Sequence, residues 1–147
     1  MIYFDATFLV RLYVDESGSR QVRSLAAEQD AIASSVLGKM ETEAAFHRKF
    51  REGSLDARAL SEINRQLTVN TSEGVITWLS LSPYVIERVH EAFLTLPPHV
   101  YLRTGDAIHL ATAAEAGFKE IYSNDRHLLA ASKLFKLKGV NPLAGKS

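Results

Sequence analysis

Residues 2–13 are IYFDATFLVRLY, and this stretch gives the first indication of the fold. Residues 2–5 are typical of a short buried strand, and the residues that follow predict a helix running through Val14. Asp5 therefore stands where a strand gives way to a helix. In open α/β sheets, ligands bind at the carboxyl ends of the strands. The stretch thus predicts a strand–helix unit with a carboxylate at a place suited to a functional site.

The same alternation of strands and helices continues along the chain. Further strands are predicted at residues 31–34, 75–81 and 120–122 and near Val140. Helices are predicted at residues 18–28, 36–52, 55–70, 84–96, 104–116 and 125–134, with Ser54 and Thr104 as N-caps. Short buried strands that alternate with helices imply an α/β fold whose parallel sheet is covered on both faces.

Composition limits the class of protein. The 147 residues fit a single domain, 1–147, and 46% of them are hydrophobic, which is enough to build a core. The chain has no cysteine, so disulfides and thiolate metal sites are excluded. It has no signal-peptide pattern and no apolar run of the roughly 20 residues that span a bilayer. We therefore expect a cytoplasmic protein without a membrane segment.

Three acidic residues fall at strand ends or helix starts. Asp5 ends the first predicted strand, Asp106 lies in the first turn of a predicted helix, and Asp125 stands at another strand-to-helix turn. Each has a structural alternative, because acids cap helices and are stabilised near helix N-termini. Thr7 is close enough to Asp5 to serve the same local structure. Parallel folds build their sites at such positions, so a shared functional site is the other interpretation.

A fourth acid, Glu41, is distinguished by its position on its helix. At about 100° per residue, Leu37, Ala44, Ala45 and Arg48 share its face. A carboxylate on a largely apolar stripe is unfavourable unless it is paired or binds a metal ion. Glu43 points the opposite way, and we interpret it as an ordinary surface acid.

Four carboxylates brought together need a compensating charge, because like charges at close range raise one another's pKa values. A hard divalent cation such as Mg²⁺ or Mn²⁺ prefers oxygen ligands and supplies that charge. Such a cation activates water and stabilises charge on a phosphate. The acids therefore suggest hydrolysis of phosphodiesters.

Five blocks of sequence, in order, resemble PIN-domain ribonucleases, and most closely the VapC toxins of toxin–antitoxin pairs. The blocks are IYFDATFLVRLY at 2–13, SS at 34–35 with ETEAAF at 41–46, RTGDAIHLA at 103–111, SNDRHL at 123–128 and VNP at 140–142. The resemblance implies a three-layer α/β/α domain with a central parallel sheet of four or five strands. It also implies Mg²⁺- or Mn²⁺-dependent endonucleolytic cleavage of RNA.

The resemblance extends to particular residues and partners. It implies that Asp5, Glu41, Asp106 and Asp125 are the metal ligands and catalytic acids, with Thr7 as a supporting hydroxyl. It further implies an RNA substrate, a VapB-like antitoxin and a homodimer.

Several alternatives stay open at this stage. A phosphoaspartyl phosphatase needs an acid two residues after the nucleophile, where this chain has Thr7. A housekeeping RNA-processing nuclease and a non-catalytic RNA- or partner-binding PIN domain are the other two. We expect His109 to pack beside the site rather than to bind metal. Arg48 and Arg51 are either solvated or in contact with RNA phosphates.

Two aromatic residues on the helix of Glu41 also have two possible interpretations. Phe46 and Phe50 lie about 140–180° around that helix from Glu41. They either pack under the next helix or form a contact with a second copy or an antitoxin.

Overall fold

Short parallel strands form the centre of the fold. The computed structural model describes residues 1–144, so residues 145–147 of the predicted domain lie outside the described residues. The strands are β1 Ile2–Tyr3, β2 Ile32–Ser35, β3 Ile76–Leu79, β4 Glu120–Tyr122 and β5 Lys138–Val140. The helices are α1 Ala6–Tyr13, α2 Ser19–Ala27, α3 Val36–Arg51, α4 Ala57–Ser72, α5 Pro83–Thr95, α6 Thr104–Glu115 and α7 Arg126–Ala131, and a 3-10 helix, Ser132–Phe135, follows α7.

The strands form two sheets, and within each sheet the strands run parallel. β1, β2 and β3 form one sheet in that order, and β4 pairs with β5 in a second. A bridge between Phe4 and Tyr122 joins the two, and the Asp5 N–H donates to the Tyr122 carbonyl at 3.1 Å. The main sheet thus has three strands rather than the expected four or five. β1 is too short for a ladder with β4, because Asp5 already begins the turn into α1.

Side chains alternate between the two faces of the sheet along β1 and the Phe4 that follows it, and each face has its own apolar cluster. Tyr3 packs with Leu110 and Ile121 on one face, whereas Phe4 packs with Phe8 on the other. Each of these fully buried side chains stabilises the fold by roughly 1.5–3 kcal/mol by leaving water. Helices cover both faces, which confirms the three-layer α/β/α architecture. Within the described residues, no helix combines the length and apolar character needed to cross a bilayer.

The predicted N-cap of α4 is wrong. Asp56 caps this helix, and its carboxylate accepts a hydrogen bond from the Ala59 N–H at 2.8 Å. Ser54 instead belongs to the end of α3, because the N–H groups of Ser54 and Leu55 both donate to the Lys49 carbonyl. Closing α3 in this way delays the start of α4 by two residues.

The predicted N-cap of α6 is also wrong. Thr104 is the first helical residue, and Arg103 occupies the N-cap position without a side-chain capping bond. The Arg103 side chain is turned towards two acids of the candidate site instead. The predicted helix at 125–134 is divided into α7, which Asp125 caps, and the 3-10 helix.

The two phenylalanines of α3 have different environments. Phe46 is fully buried and packs edge-to-face against Tyr13, with ring centroids 5.7 Å apart. Phe50 is 37% exposed. The packing interpretation therefore holds for Phe46, and of the two rings Phe50 alone is available to a partner.

Candidate active site

The four predicted acids line one cavity of about 300 Å³, which we call the carboxylate pocket. Four separate elements bring them there. Asp5 follows β1, Glu41 lies in α3, Asp106 lies in the first turn of α6, and Asp125 precedes α7. Thr7, Arg103, Gly105 and His109 also line the pocket.

Asp5 is buried and is held by local hydrogen bonds. Its Oδ1 accepts from the Thr7 hydroxyl at 2.6 Å and from the Phe8 N–H at 3.3 Å, so it caps α1 as well as lining the pocket. Its Oδ2 accepts from the Ser123 hydroxyl. Burial raises the pKa of Asp5, and the nearby His109 and these hydrogen bonds oppose that rise. Further positive charge in the pocket would therefore stabilise the ionised carboxylate of Asp5.

Thr7 connects two of the segments that form the pocket. Besides donating to Asp5, its hydroxyl accepts a hydrogen bond from the Asn124 N–H at 2.9 Å. Asn124 is the residue before Asp125, so the Thr7 hydroxyl ties the Asp5 carboxylate to the turn that presents Asp125. The supporting role of Thr7 in the reaction stays a prediction.

Arg103 is the residue that sequence analysis missed. Its guanidinium binds both oxygens of Asp106, at 2.8 and 3.1 Å, and also contacts Asp125 Oδ2. Partial burial of Asp125 raises its pKa, but hydrogen bonds from Arg103 and from the backbone of His127 and Leu128 lower that pKa overall. The two carboxylates raise the pKa of Arg103 in turn. The i,i+3 spacing of Arg103 and Asp106 was the available sequence signal.

Glu41 is held by a different partner, His109. Its Oε1 lies 2.6 Å from His109 Nε2, and His109 Nδ1 lies 2.8 Å from the Tyr3 hydroxyl. His109 is 3% exposed, as expected for a packed residue beside the site. The hydrogen bond from His109 to Glu41 was not predicted, although His109 lies one helical turn after Asp106.

Glu43 lies outside the carboxylate pocket. It forms an exposed i,i+4 ion pair with Lys39 at 3.0 Å on α3. The predicted difference between Glu41 and Glu43 is therefore present in the structure.

A second cavity, of about 360 Å³, adjoins the carboxylate pocket and shares Thr7 and Glu41 with it. We call it the basic groove, because Arg11, Arg48 and Lys49 line it. Arg11 and Lys49 both pair with Glu16, at 3.7 and 2.9 Å, whereas Arg48 has no ion pair within residues 1–144. Arg51 does not line the groove.

The side chains that line the carboxylate pocket have the chemistry that a hard cation needs, but they are paired with other side chains of the protein. Within residues 1–144, no three Asp, Glu or His side chains are grouped so that they could hold a metal ion. Arg103 engages Asp106 and Asp125, and His109 engages one oxygen of Glu41. Oxygen donors from four carboxylates nevertheless match the preferences of Mg²⁺ and Mn²⁺.

Comparison with known proteins gives the class of this protein. The PIN domain family matches residues 2–134, and the chain belongs to that family. Among solved structures, the chain is similar to VapC20 of Mycobacterium tuberculosis, a toxin that cleaves the sarcin–ricin loop. The TM-score is 0.68 and the identity 19%, with 89% of this chain and 95% of the VapC20 chain covered. No curated protein sequence matches the chain.

Proposed function

We propose that the protein is an endoribonuclease that depends on Mg²⁺ or Mn²⁺. Asp5, Glu41, Asp106 and Asp125 would hold the cation. The observation that carries this proposal is the convergence of four carboxylates, from four different elements, on one cavity. Membership of the PIN family also supports the proposal. The fold alone does not require these four acids to meet, so their convergence favours a shared function.

The charge of the pocket favours a cation. Four carboxylates face one small volume, and among the described residues lining it the only guanidinium or ammonium group belongs to Arg103. That side chain is 44% exposed, so solvent weakens its attraction for the acids. A divalent cation gives stronger compensation than a partly solvated guanidinium. When bound, Mg²⁺ or Mn²⁺ supplies the Lewis acidity that activates water and stabilises charge on a phosphate.

The protein's own residues orient the reaction. Hydrolysis joins the oxygen of water to phosphorus, breaks one phosphorus–oxygen bond of the RNA backbone and leaves a proton of that water on the departing oxygen. The hydrogen bonds from Thr7 and Ser123 fix both oxygens of Asp5, so its carboxylate is preorganised at the end of β1. Arg103, once released from the two carboxylates, presents a guanidinium to the phosphate, whose charge and shape it matches.

The basic groove is the proposed path for the RNA backbone. It opens beside Glu41, and Arg48 is available there because it has no ion pair within residues 1–144. Contacts of arginine with phosphates position a nucleic acid without reading its sequence. This assigns to Arg48 the phosphate contact that the sequence suggested for Arg48 and Arg51.

The experiment is cleavage of a mixed RNA pool that includes ribosomal RNA, with Mg²⁺, with Mn²⁺ and with chelator. Asp5→Asn and the matched Asp30→Asn, a change at an acid outside the pocket, are measured beside the wild type. We expect cleavage that needs a metal ion and is lost only in Asp5→Asn. Absence of cleavage by folded wild-type protein in both metals would favour a non-catalytic binding module.

We also propose that the biological role is that of a VapC-type toxin, with a VapB-like antitoxin and a homodimeric state. Similarity to a toxin of this type supports the proposal. Expression in a bacterial host should arrest growth, and Asp5→Asn or co-expression of a short neighbouring gene should relieve the arrest. Growth without arrest, despite nuclease activity in vitro, would point to a housekeeping RNA-processing enzyme.

A further inference from the structure

A buried chain of hydrogen bonds runs from the core to Glu41. The Ser35 N–H donates to the Tyr3 hydroxyl oxygen at 3.0 Å, and that hydroxyl lies 2.8 Å from His109 Nδ1. On the other side of the ring, His109 Nε2 lies 2.6 Å from Glu41 Oε1. The chain connects β2, β1, α6 and α3 in turn.

The donors and acceptors in this chain have a definite order. The Glu41 carboxylate can only accept, so the hydrogen between it and the ring lies on His109 Nε2. In the neutral ring Nδ1 then accepts the phenol hydrogen of Tyr3, whose oxygen accepts from the Ser35 N–H. A neutral imidazole that accepts at Nδ1 carries its hydrogen at Nε2. That hydrogen is donated to the Glu41 carboxylate.

Close packing leaves this chain little freedom. Tyr3 is fully buried, and its ring meets the His109 ring edge-to-face with centroids 5.9 Å apart. Gly38 lets α3 approach at this point, because a Cβ there would lie 3.0 Å from His109 Cε1 and 2.4 Å from the Ser34 hydroxyl oxygen. The imidazole is therefore fixed in place before any ligand binds.

The second oxygen of Glu41 has a different environment. Oε2 has no hydrogen bond within residues 1–144 and lies on the side of Gly105, the residue before Asp106. The side chain of Glu41 is 40% exposed and lines the carboxylate pocket. The hydrogen bond at Oε1 thus directs Oε2 towards the start of α6.

We propose that Tyr3 and His109 are positioning residues, which hold Oε1 of Glu41 so that Oε2 faces the cation site. This inference rests on the proposed function, since it assigns Glu41 as a ligand. Partners that orient a ligand in this way typically contribute about 10–100-fold to metal affinity or activity.

The first test uses Tyr3→Phe, which removes only the hydroxyl. Nitrogen-15 NMR of the full-length protein should show His109 as the Nε2–H tautomer in the wild type and as a mixture in Tyr3→Phe. The Mn²⁺ affinity should fall about 10-fold, and kcat for RNA cleavage should fall with KM unchanged. Tyr13→Phe is the control, because it removes a half-buried tyrosine hydroxyl that is bonded to Asn70 and lies outside the lining of the carboxylate pocket. It should leave Mn²⁺ affinity unchanged.

A second pair of variants keeps the test valid if Tyr3→Phe folds poorly. His109→Gln retains an N–H donor near Nε2 and should keep Mn²⁺ affinity within about 3-fold, whereas His109→Leu should lose about 10-fold or more. Adding Tyr3→Phe to His109→Gln should change nothing further, because an amide has no tautomer to set.

The outcomes separate this inference from the proposed function. Wild-type protein that binds no Mn²⁺ and cleaves no RNA would overturn both. Wild-type binding and cleavage that persist unchanged in Tyr3→Phe and in His109→Leu would overturn the positioning role alone. An Nδ1–H tautomer in the wild type would do the same.

Discussion

The guanidinium of Arg103 binds both carboxylate oxygens of Asp106, at 2.8 and 3.1 Å. The same guanidinium also contacts Asp125, so a single arginine side chain neutralises two of the four acids in the carboxylate pocket. The Asp106 side chain is 9% exposed, and a buried carboxylate is unstable without a partner. Arg103 is therefore the internal counter-charge of the site.

This relationship predicts a stability loss that metal repairs. In chelator, Arg103→Gln should destabilise the protein by about 1–3 kcal/mol and lower its Tm by roughly 3–8 °C. Saturating Mn²⁺ should reduce the Tm difference between Arg103→Gln and the wild type, because the metal ion replaces the positive charge of the lost guanidinium. Arg88→Gln is the matched control, because Arg88 is 44% exposed like Arg103. Its partner Glu115 is 35% exposed, whereas Asp106 is 9% exposed, so the loss of the Arg88 pair should cost little. An equal Tm deficit with and without Mn²⁺ would contradict the prediction.

The two glutamates of the ETEAAF stretch should differ in function. Glu41→Gln removes the charge of a proposed ligand, and RNA cleavage should fall by more than about 100-fold. Glu43→Gln removes an exposed surface charge two residues away and should change the cleavage rate by less than about 2-fold. Initial rates at saturating Mg²⁺ measure both. Similar losses in the two variants would mean that Glu41 acts only through the structure of α3.

For RNA cleavage, the hydroxyl group of Thr7 should matter more than the volume of its side chain. Thr7→Val removes the hydrogen bonds to Asp5 and from Asn124, and we expect RNA cleavage to fall about 10–100-fold. Thr7→Ser keeps the hydroxyl and should retain most of the activity. Initial rates and Tm values for both variants check this. Equal activity of the Val and Ser variants would show that the hydroxyl does not support Asp5.

Arg48 should contribute to RNA binding through charge. In an Asp5→Asn background that prevents cleavage, Arg48→Ala should weaken binding of single-stranded RNA. It should also reduce the slope of log affinity against log salt by about 0.7, as expected for one lost phosphate contact. Arg51→Ala is the control, because Arg51 lies outside the basic groove. Fluorescence anisotropy at several salt concentrations measures both, and equal slopes for the two variants would place the RNA elsewhere.

The corrected N-cap of α4 gives a test of the fold alone. Asp56→Ala should destabilise the protein by about 1 kcal/mol, because the Ala59 N–H loses its acceptor. Ser54→Ala should have almost no effect, since Asp56 is the N-cap of α4 and the Ser54 side chain makes no capping bond within residues 1–144. Urea denaturation of the two variants distinguishes the assignments, and a larger loss in Ser54→Ala would restore the original prediction.

Local features were predictable from the sequence. The strand that ends at Asp5 and the helical face that separates Glu41 from Glu43 both follow from periodicity, which depends on neighbouring residues. Contacts between distant segments were not predictable. Arg103 meets Asp125 across 22 positions, and His109 meets Glu41 across 68. These contacts exist only once the sheets have placed the elements, so the mutual neutralisation inside the pocket escaped sequence analysis.

The strand count shows a similar limit. Hydrophobic runs predicted all five strands, but they could not predict where the ladder between β1 and β4 is interrupted. That break depends on Asp5, whose carboxylate caps α1 and so ends the strand early. The same residue thus both shortens β1 and provides a carboxylate for the pocket.

The most direct test of the central claim is anomalous diffraction from crystals of the full-length protein soaked in Mn²⁺. We predict a peak in the carboxylate pocket within bonding distance of Asp5, Glu41 and Asp106, with Arg103 turned away from Asp106. A pocket without an anomalous peak, in which Arg103 still pairs with Asp106 at saturating Mn²⁺, would contradict the account.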